Sequence, residues 1–328
     1  MRRREFIGGV GVSAVLGAGG AWAQQQARMP VVGILRSTPA DDAKAFMISF
    51  RQGLGEAGFV EGRNVAIDFR SADNVYDRLP ILASDLARKK VDVIVATGAV
   101  STALAAKAAT TTIPIVFAIG SDPIETGIVS SLNRPAENIT GVTLFSGALI
   151  AKKLELLREI IPTAAAIGFL VNPNNPNAAS ERREIQALAQ TGGWELHVVN
   201  AGSDSDLDRA LVLLERFRVD GFLHSSDVLF TSRYPQIVTF AALNKIPAIY
   251  SRRDAAAAGG LLSYGTRPTI TFHAAGVYTG RILQGAKPAD LPVQLPSTFE
   301  LVLNLGTAKA SGITIPTSIL LRADEVIE

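Results

Sequence analysis

From Val31 onward, short β-branched runs alternate with Ala- and Leu-rich stretches. Val31 to Leu35, Val65 to Phe69, Val91 to Ala96 and Ile115 to Ala118 read as strands, and the segments between them as helices. Apolar runs this short, without strict alternation, suit strands covered on both faces, so their order predicts a parallel sheet between two helical layers. Asp41 and Asp42 open a helix that ends near Gly58. Asp77 and Pro80 open another, closing at Arg88-Lys89-Lys90, where cations complement the C-terminal helix dipole.

The pattern then restarts. Val31-Val32-Gly33-Ile34-Leu35 is echoed by Ala166-Ile167-Gly168-Phe169-Leu170, and the helix-ending Ala57-Gly58 by Thr191-Gly192. Val91-Asp92-Val93-Ile94-Val95 returns as Val219-Asp220-Gly221-Phe222-Leu223, and Ile113-Pro114-Ile115-Val116-Phe117 as Ile246-Pro247-Ala248-Ile249-Tyr250. Each phrase alone is a generic entry to a parallel strand. Four of them in one order, at a nearly constant offset of roughly 130 residues, argue for two similar α/β lobes rather than one long sheet. A first crossover is expected near Ile139 to Phe145, where Asn138 to Thr143 is an extended, polar-flanked segment. Ligands of such sheets collect beyond the carboxyl ends of the strands, so two facing lobes define a cleft that hinge closure completes.

Length and composition agree with two medium cores: 328 residues, 48% hydrophobic but only 6% aromatic. The absence of cysteine excludes disulfides, thiolate metal sites, a cysteine nucleophile and a lipidated cysteine anchor. Residues 1–23 read as a signal peptide: Arg2, Arg3 and Arg4, a weakly apolar stretch from Phe6 to Gly20, then the A-x-A site Ala21-Trp22-Ala23. Arg3-Arg4-Glu5-Phe6-Ile7 fits the twin-arginine pattern, with an ordinary secretory signal as the alternative, and either predicts a periplasmic protein. Cleavage removes three Arg and one Glu from 32 basic and 30 acidic side chains, which leaves the mature chain neutral. A neutral chain offers no electrostatic case for nucleic acid, and no later apolar run approaches the ~18 residues of a membrane span.

Catalytic signals are weak. The glycine pattern Gly9-Val10-Gly11-Val12-Ser13-Ala14 lies inside the signal, no G-x-S-x-G elbow occurs, and His197, His224 and His273 lack metal-ligand spacing. No catalytic residue, metal or cofactor is therefore expected.

Phe50-Arg51-Gln52-Gly53-Leu54, Ala57-Gly58-Phe59-Val60-Glu61-Gly62, Ser121-Asp122-Pro123, Ile282-Leu283-Gln284-Gly285-Ala286-Lys287-Pro288 and the ending Ile315-Pro316 through Arg322-Ala323-Asp324-Glu325-Val326-Ile327 carry a resemblance. Over nearly the whole mature chain the sequence resembles the tryptophan/tyrosine-type substrate-binding proteins of ABC transporters. The resemblance implies a type I periplasmic-binding-protein fold: two Rossmann-like lobes with parallel sheets, joined by three hinge crossings. Residues 30–142 and 271–295 are expected to form lobe I, and residues 143–270 and 296–328 lobe II. It implies a monomer that carries a small amino-acid-like or carboxylated solute to an ABC permease in the inner membrane. Service to a sensor kinase or another transporter stays open, and an exported α/β enzyme is the weaker alternative.

Loops after strand ends supply the candidate contacts. Thr97-Gly98-Ala99-Val100-Ser101-Thr102 leads from a strand into a helix, so free N–H groups with Thr97, Ser101 and Thr102 suit a carboxylate, or the hydroxyls simply cap the helix. Ser37 and Ser121 border the same cleft, with Asp122 reading as a cap. In the second lobe, Asn172, Asn174 and Asn175 form either a hydrogen-bonding loop or a plain turn. Asp227 either receives a ligand ammonium group, as the resemblance would have it, or caps a helix. Tyr264 lies where the chain should leave the second lobe and either stacks on the ligand or packs at the hinge; Phe145 and Phe230 could add apolar walls.

Overall fold

The strands of the first sheet are apolar runs buried on both faces, apart from the half-buried edge strand. The computed structural model describes residues 28–135, 138–144 and 149–328; the expected signal peptide and Phe145 lie outside them. Here β1 (Val31–Arg36), β2 (Ala66–Ser71), β3 (Val93–Gly98), β4 (Ile115–Ile119) and β5 (Ile139–Thr143) form a parallel sheet in the order β2-β1-β3-β4-β5. One face packs on α2 (Leu79–Arg88) and α3 (Val100–Ala109), the other on α1 (Lys44–Glu56), which gives two apolar layers with the sheet between them.

The second sheet repeats this path. After α4 (Leu149–Ile160) come β6 (Ala166–Val171), α5 (Ala178–Gly192), β7 (Glu195–Asn200), α6 (Asp204–Arg216) and β8 (Gly221–His224). Next are α7 (Val228–Ser232), α8 (Tyr234–Asn244), β9 (Ala248–Tyr250), α9 (Arg253–Ala257) and β10 (Leu262–Thr266). The order β7-β6-β8-β9-β10 duplicates that of the first five strands. Even the repeated aspartates act alike, since Asp92 accepts from the Val31 amide at 2.7 Å, and Asp220 from the Ala165 and Ala166 amides at 2.7 and 2.9 Å. Each carboxylate pins the start of the first strand of its lobe, β1 or β6.

Beyond β10 the symmetry ends. α10 (Pro268–Leu283) returns to the first sheet, packing along α1 and over β4 and β5. Residues 291–294 then follow β5, with Thr140 Oγ1 donating to the Leu291 carbonyl at 2.6 Å and the Gln294 amide to Gly141 at 3.0 Å. The chain crosses once more to β11 (Phe299–Asn304), α11 (Leu305–Ser311), α12 (Thr317–Leu320) and β12 (Glu325–Ile327). The second sheet is thus seven-stranded, β12-β11-β10-β9-β8-β6-β7, and is not wholly parallel as expected: β11 runs antiparallel to β10. The reason is geometric, because β10 leaves its sheet at the cleft side and a chain re-entering from that side must run the other way.

Candidate functional site

Between the carboxyl ends of the two sheets lies a cavity of about 440 Å³, lined from both sides. On the first-lobe wall, Gly98 holds φ at +101°, and a Cβ there would come within 2.2 Å of Ser37 Oγ. Only glycine fits such a position. The turn lets Ser37 Oγ accept from the Ala99 amide at 2.9 Å and starts α3 without any side-chain cap. The Val100 and Ser101 amides are left without an acceptor among the described residues and carry the positive end of the helix dipole, while the Thr102 amide donates to the Ala99 carbonyl at 3.0 Å. Beside them Thr97 is fully buried, lines the cavity, and has a hydroxyl with no partner among the described residues. Arg36 pairs with Thr97 in register and is buried over the Phe46 ring, its guanidinium carbon 5.6 Å from the centroid. Burial lowers its pKa to about 10, with Asp42 acting against the shift and Arg252 adding to it, so it stays cationic at neutral pH.

The opposite wall is built around Asp227. Its carboxylate caps α7 by accepting from the Leu229 amide at 2.8 Å, and takes the Asn175 amide group at 2.6 Å. Burial raises its pKa, while hydrogen bonds from Leu229, Asn172 and Asn175 oppose the shift. Among the described residues no Lys or Arg forms an ion pair with it, although it lines the cavity. Asp227 thus caps α7 and faces the cavity at the same time.

A buried network supports this wall. Lys153 Nζ donates to Ser251 Oγ at 2.6 Å, and the Ser226 amide donates to Glu181 Oε1 and Oε2 at 3.0 and 3.2 Å; both Ser251 and Ser226 line the cavity. Burial pushes Lys153 down to about 8 and Glu181 up to about 7, while their mutual attraction works against both shifts. Glu181 thus binds a proton in the fold over a window where the unfolded chain does not. The stability of the native chain relative to Glu181→Gln should fall as pH rises from about 4.5 to about 7, by roughly 1–3 kcal/mol, and stay flat above. Urea unfolding of both proteins across that window checks it; a difference that does not change with pH would show Glu181 ionised throughout.

Of the residues singled out in the sequence, Thr97, Ser121, Asn175 and Asp227 line the cavity. Ser37 stands one shell behind, holding Ala99. Ser101 and Thr102 do not line it: the helix turns ~100° per residue, so Val100 faces the cavity and the next two side chains turn away. Nor do they cap α3, and their hydroxyls are buried without partners. Asn172 accepts from the Asn174 amide at 3.0 Å and steadies Asp227, while Asn174 is exposed beside Gly202. Tyr264 does not line the cavity either: its ring stacks on Phe299 at 6.1 Å, a partner supplied by the antiparallel β11. Phe230 is in the core of the second lobe. Sequence reasoning missed Arg36, Ser251, Arg252 and Phe272. The signal for the middle two was available, since the loop after β9 is the repeat counterpart of the loop after β4 that holds Ser121.

The lobes also touch directly. The Asn177 amide donates to Ser121 Oγ, and Arg183 lies 3.5 Å from Glu125. Among the described residues no group of His, Asp and Glu could hold a metal ion, and no helix is long and apolar enough to cross a membrane.

Two like lobes with a cavity between their strand ends define a bilobal binding protein. The chain belongs to the ABC transporter substrate binding protein family, which matches residues 32–327. It is 30% identical over 261 residues to a tyrosine-binding protein of Clostridioides difficile, covering 80% of this chain and 74% of that one. Its fold matches an ABC domain from Streptococcus pneumoniae in complex with L-Trp at a TM-score of 0.83, with 27% identity, 91% of this chain and 99% of that chain. A ligand-free, open substrate-binding protein with adhesive properties from Clostridium difficile matches at 0.66, with the same identity and coverage.

Proposed function

We propose that the protein is the extracytoplasmic solute receptor of an ABC importer, and that it closes around an α-amino acid or a similar carboxylated solute. One observation carries this reading: a buried acceptor of positive charge, Asp227, faces a wall of unsatisfied donors, Thr97 and the uncapped start of α3. A zwitterion matches both walls at once, its ammonium on the carboxylate and its carboxylate on the donors. Closure by hinge bending is supported by the better overlay on the L-Trp complex than on the open, ligand-free relative. The signal-like residues 1–23 support export, the family supports a permease partner, and a single chain encloses the whole cavity, which suits a monomer.

A calorimetric and thermal-shift screen over the proteinogenic amino acids and aromatic carboxylic acids tests the reading. A bound solute should raise the melting temperature by mass action and be recovered unchanged. Conversion of that solute to product would replace the receptor by an enzyme. Thr97→Val is the matching local test: the isostere removes an unpartnered buried hydroxyl, so the free protein should lose no stability. Affinity for the bound amino acid should drop about five- to tenfold, the worth of one hydrogen bond. Unchanged affinity would take Thr97 out of the site.

A further inference from the structure

Two guanidinium groups enter the cavity from opposite lobes. Arg36 ends β1 in the first lobe; Arg252 follows β9 in the second. Each has neighbours on its own side. Arg36 Nη2 donates to the Asp42 backbone carbonyl at 3.3 Å, and Arg252 Nη2 pairs with Asp254 at 2.7 Å. In both, however, Nε is buried and has no partner among the described residues. Arg36 is only 8% exposed and, among the described residues, no carboxylate is hydrogen-bonded to it. Of the other lining charges, Asp42, Lys44 and Asp254 stand at the exposed mouth, and the buried Asp227 forms no ion pair with either guanidinium among the described residues. Closing the lobes therefore brings two like charges toward one another with a donor on each left unused. Such an arrangement is stable when an anion lies between them, because guanidinium forks recognise carboxylates and related oxyanions.

We propose that Arg36 and Arg252 form a clamp across the cleft that closes on the anionic group of the solute, which selects carboxylates over their neutral amides and makes closure depend on the anion. The inference rests on the receptor reading above and names its substrate class. Because Arg36 and Thr97 are register partners on adjacent strands, the clamp acts on the same carboxylate that Thr97 and the start of α3 receive. The first lobe holds that group, and the guanidinium of Arg252 arrives only on closure.

Arg252→Gln is the variant of choice, since its side chain is 35% exposed and the change leaves only a surface Asp254 unpaired. Sulfate, against chloride at equal ionic strength, serves as a probe that does not require knowing the solute; L-tyrosine and L-tyrosinamide form the second pair. In the native protein, sulfate should raise the melting temperature, and L-tyrosine should bind at least about tenfold more tightly than its amide. In Arg252→Gln both effects should be lost, with the melting temperature of the free protein unchanged. Scattering at small angles should show L-tyrosine contracting the native protein more than the variant. Equal sulfate responses and equal discrimination in the two proteins would overturn the clamp, while L-tyrosine binding alike to both would leave the receptor reading standing. A sulfate response lost only in Arg252→Gln, with no amino acid bound, would retain the clamp and discard the amino-acid reading.

Discussion

Asp227→Lys is expected to abolish binding of any α-amino acid the protein takes, and Asp227→Asn to weaken it by about 2–5 kcal/mol, at least thirtyfold in Kd. The carboxylate is buried, lines the cavity, and forms no ion pair with a cation among the described residues. Its solvation is supplied by the Leu229 amide and the Asn175 side chain, which stabilise the charge without neutralising it. An arriving ammonium group would complete that shell. The asparagine variant keeps an oxygen for the α7 cap but sets its amide nitrogen against the Asn175 amide group, so its free form should fold with a modest loss of stability and the larger loss should fall on the bound state. Titration calorimetry on the native protein and both variants, with circular dichroism as a fold control, decides the matter. An unchanged Kd in Asp227→Asn would reduce Asp227 to a capping residue.

Gly53→Val should destabilise the first lobe by roughly 3 kcal/mol or more and, as a consequence, impair binding as well. α1 and α10 approach so closely that a Cβ at Gly53 would lie 2.0 Å from the His273 carbonyl oxygen, and one at Gly276 would lie 2.1 Å from that of Phe50. Neither obstacle is a side chain that could move aside; both are backbone, so a larger residue must push the helices apart. That contact anchors the segment that leaves the second lobe after β10. Thr266, Pro268 and Phe272 of this segment also line the cavity. A loosened α10 thus displaces the part of the cavity wall that these residues form. Denaturant unfolding that shifts by less than about 1 kcal/mol would show that the helix pair can separate without cost.

Much of the architecture was readable in the chain. Apolar runs of four to six residues, spaced by amphipathic stretches, are what a doubly covered parallel sheet requires, and the observed strands start within two residues of those runs. The recurrence of Val-Asp and Ile-Pro phrases marked a duplicated lobe because strand entry makes the same local demand twice: a carboxylate to hold the neighbouring strand's first amide. Strand ends likewise pointed to loops that border the cavity, which is why Thr97, Ser121, Asn175 and Asp227 are among its lining residues.

Local pattern determined which segments become strands, which loops gather at the strand ends, and that there are two such units, because periodicity, capping and turn chemistry act over a few residues. Tertiary structure alone decided which atoms of those loops meet. A helix start rotated by one residue turns Ser101 and Thr102 away, and a strand returning from the far side of the cleft runs antiparallel and claims the ring of Tyr264. Arg36 and Arg252, more than two hundred residues apart in sequence, share a cavity because two sheets face each other. No short-range signal encodes that meeting; it follows from where the two cores come to rest.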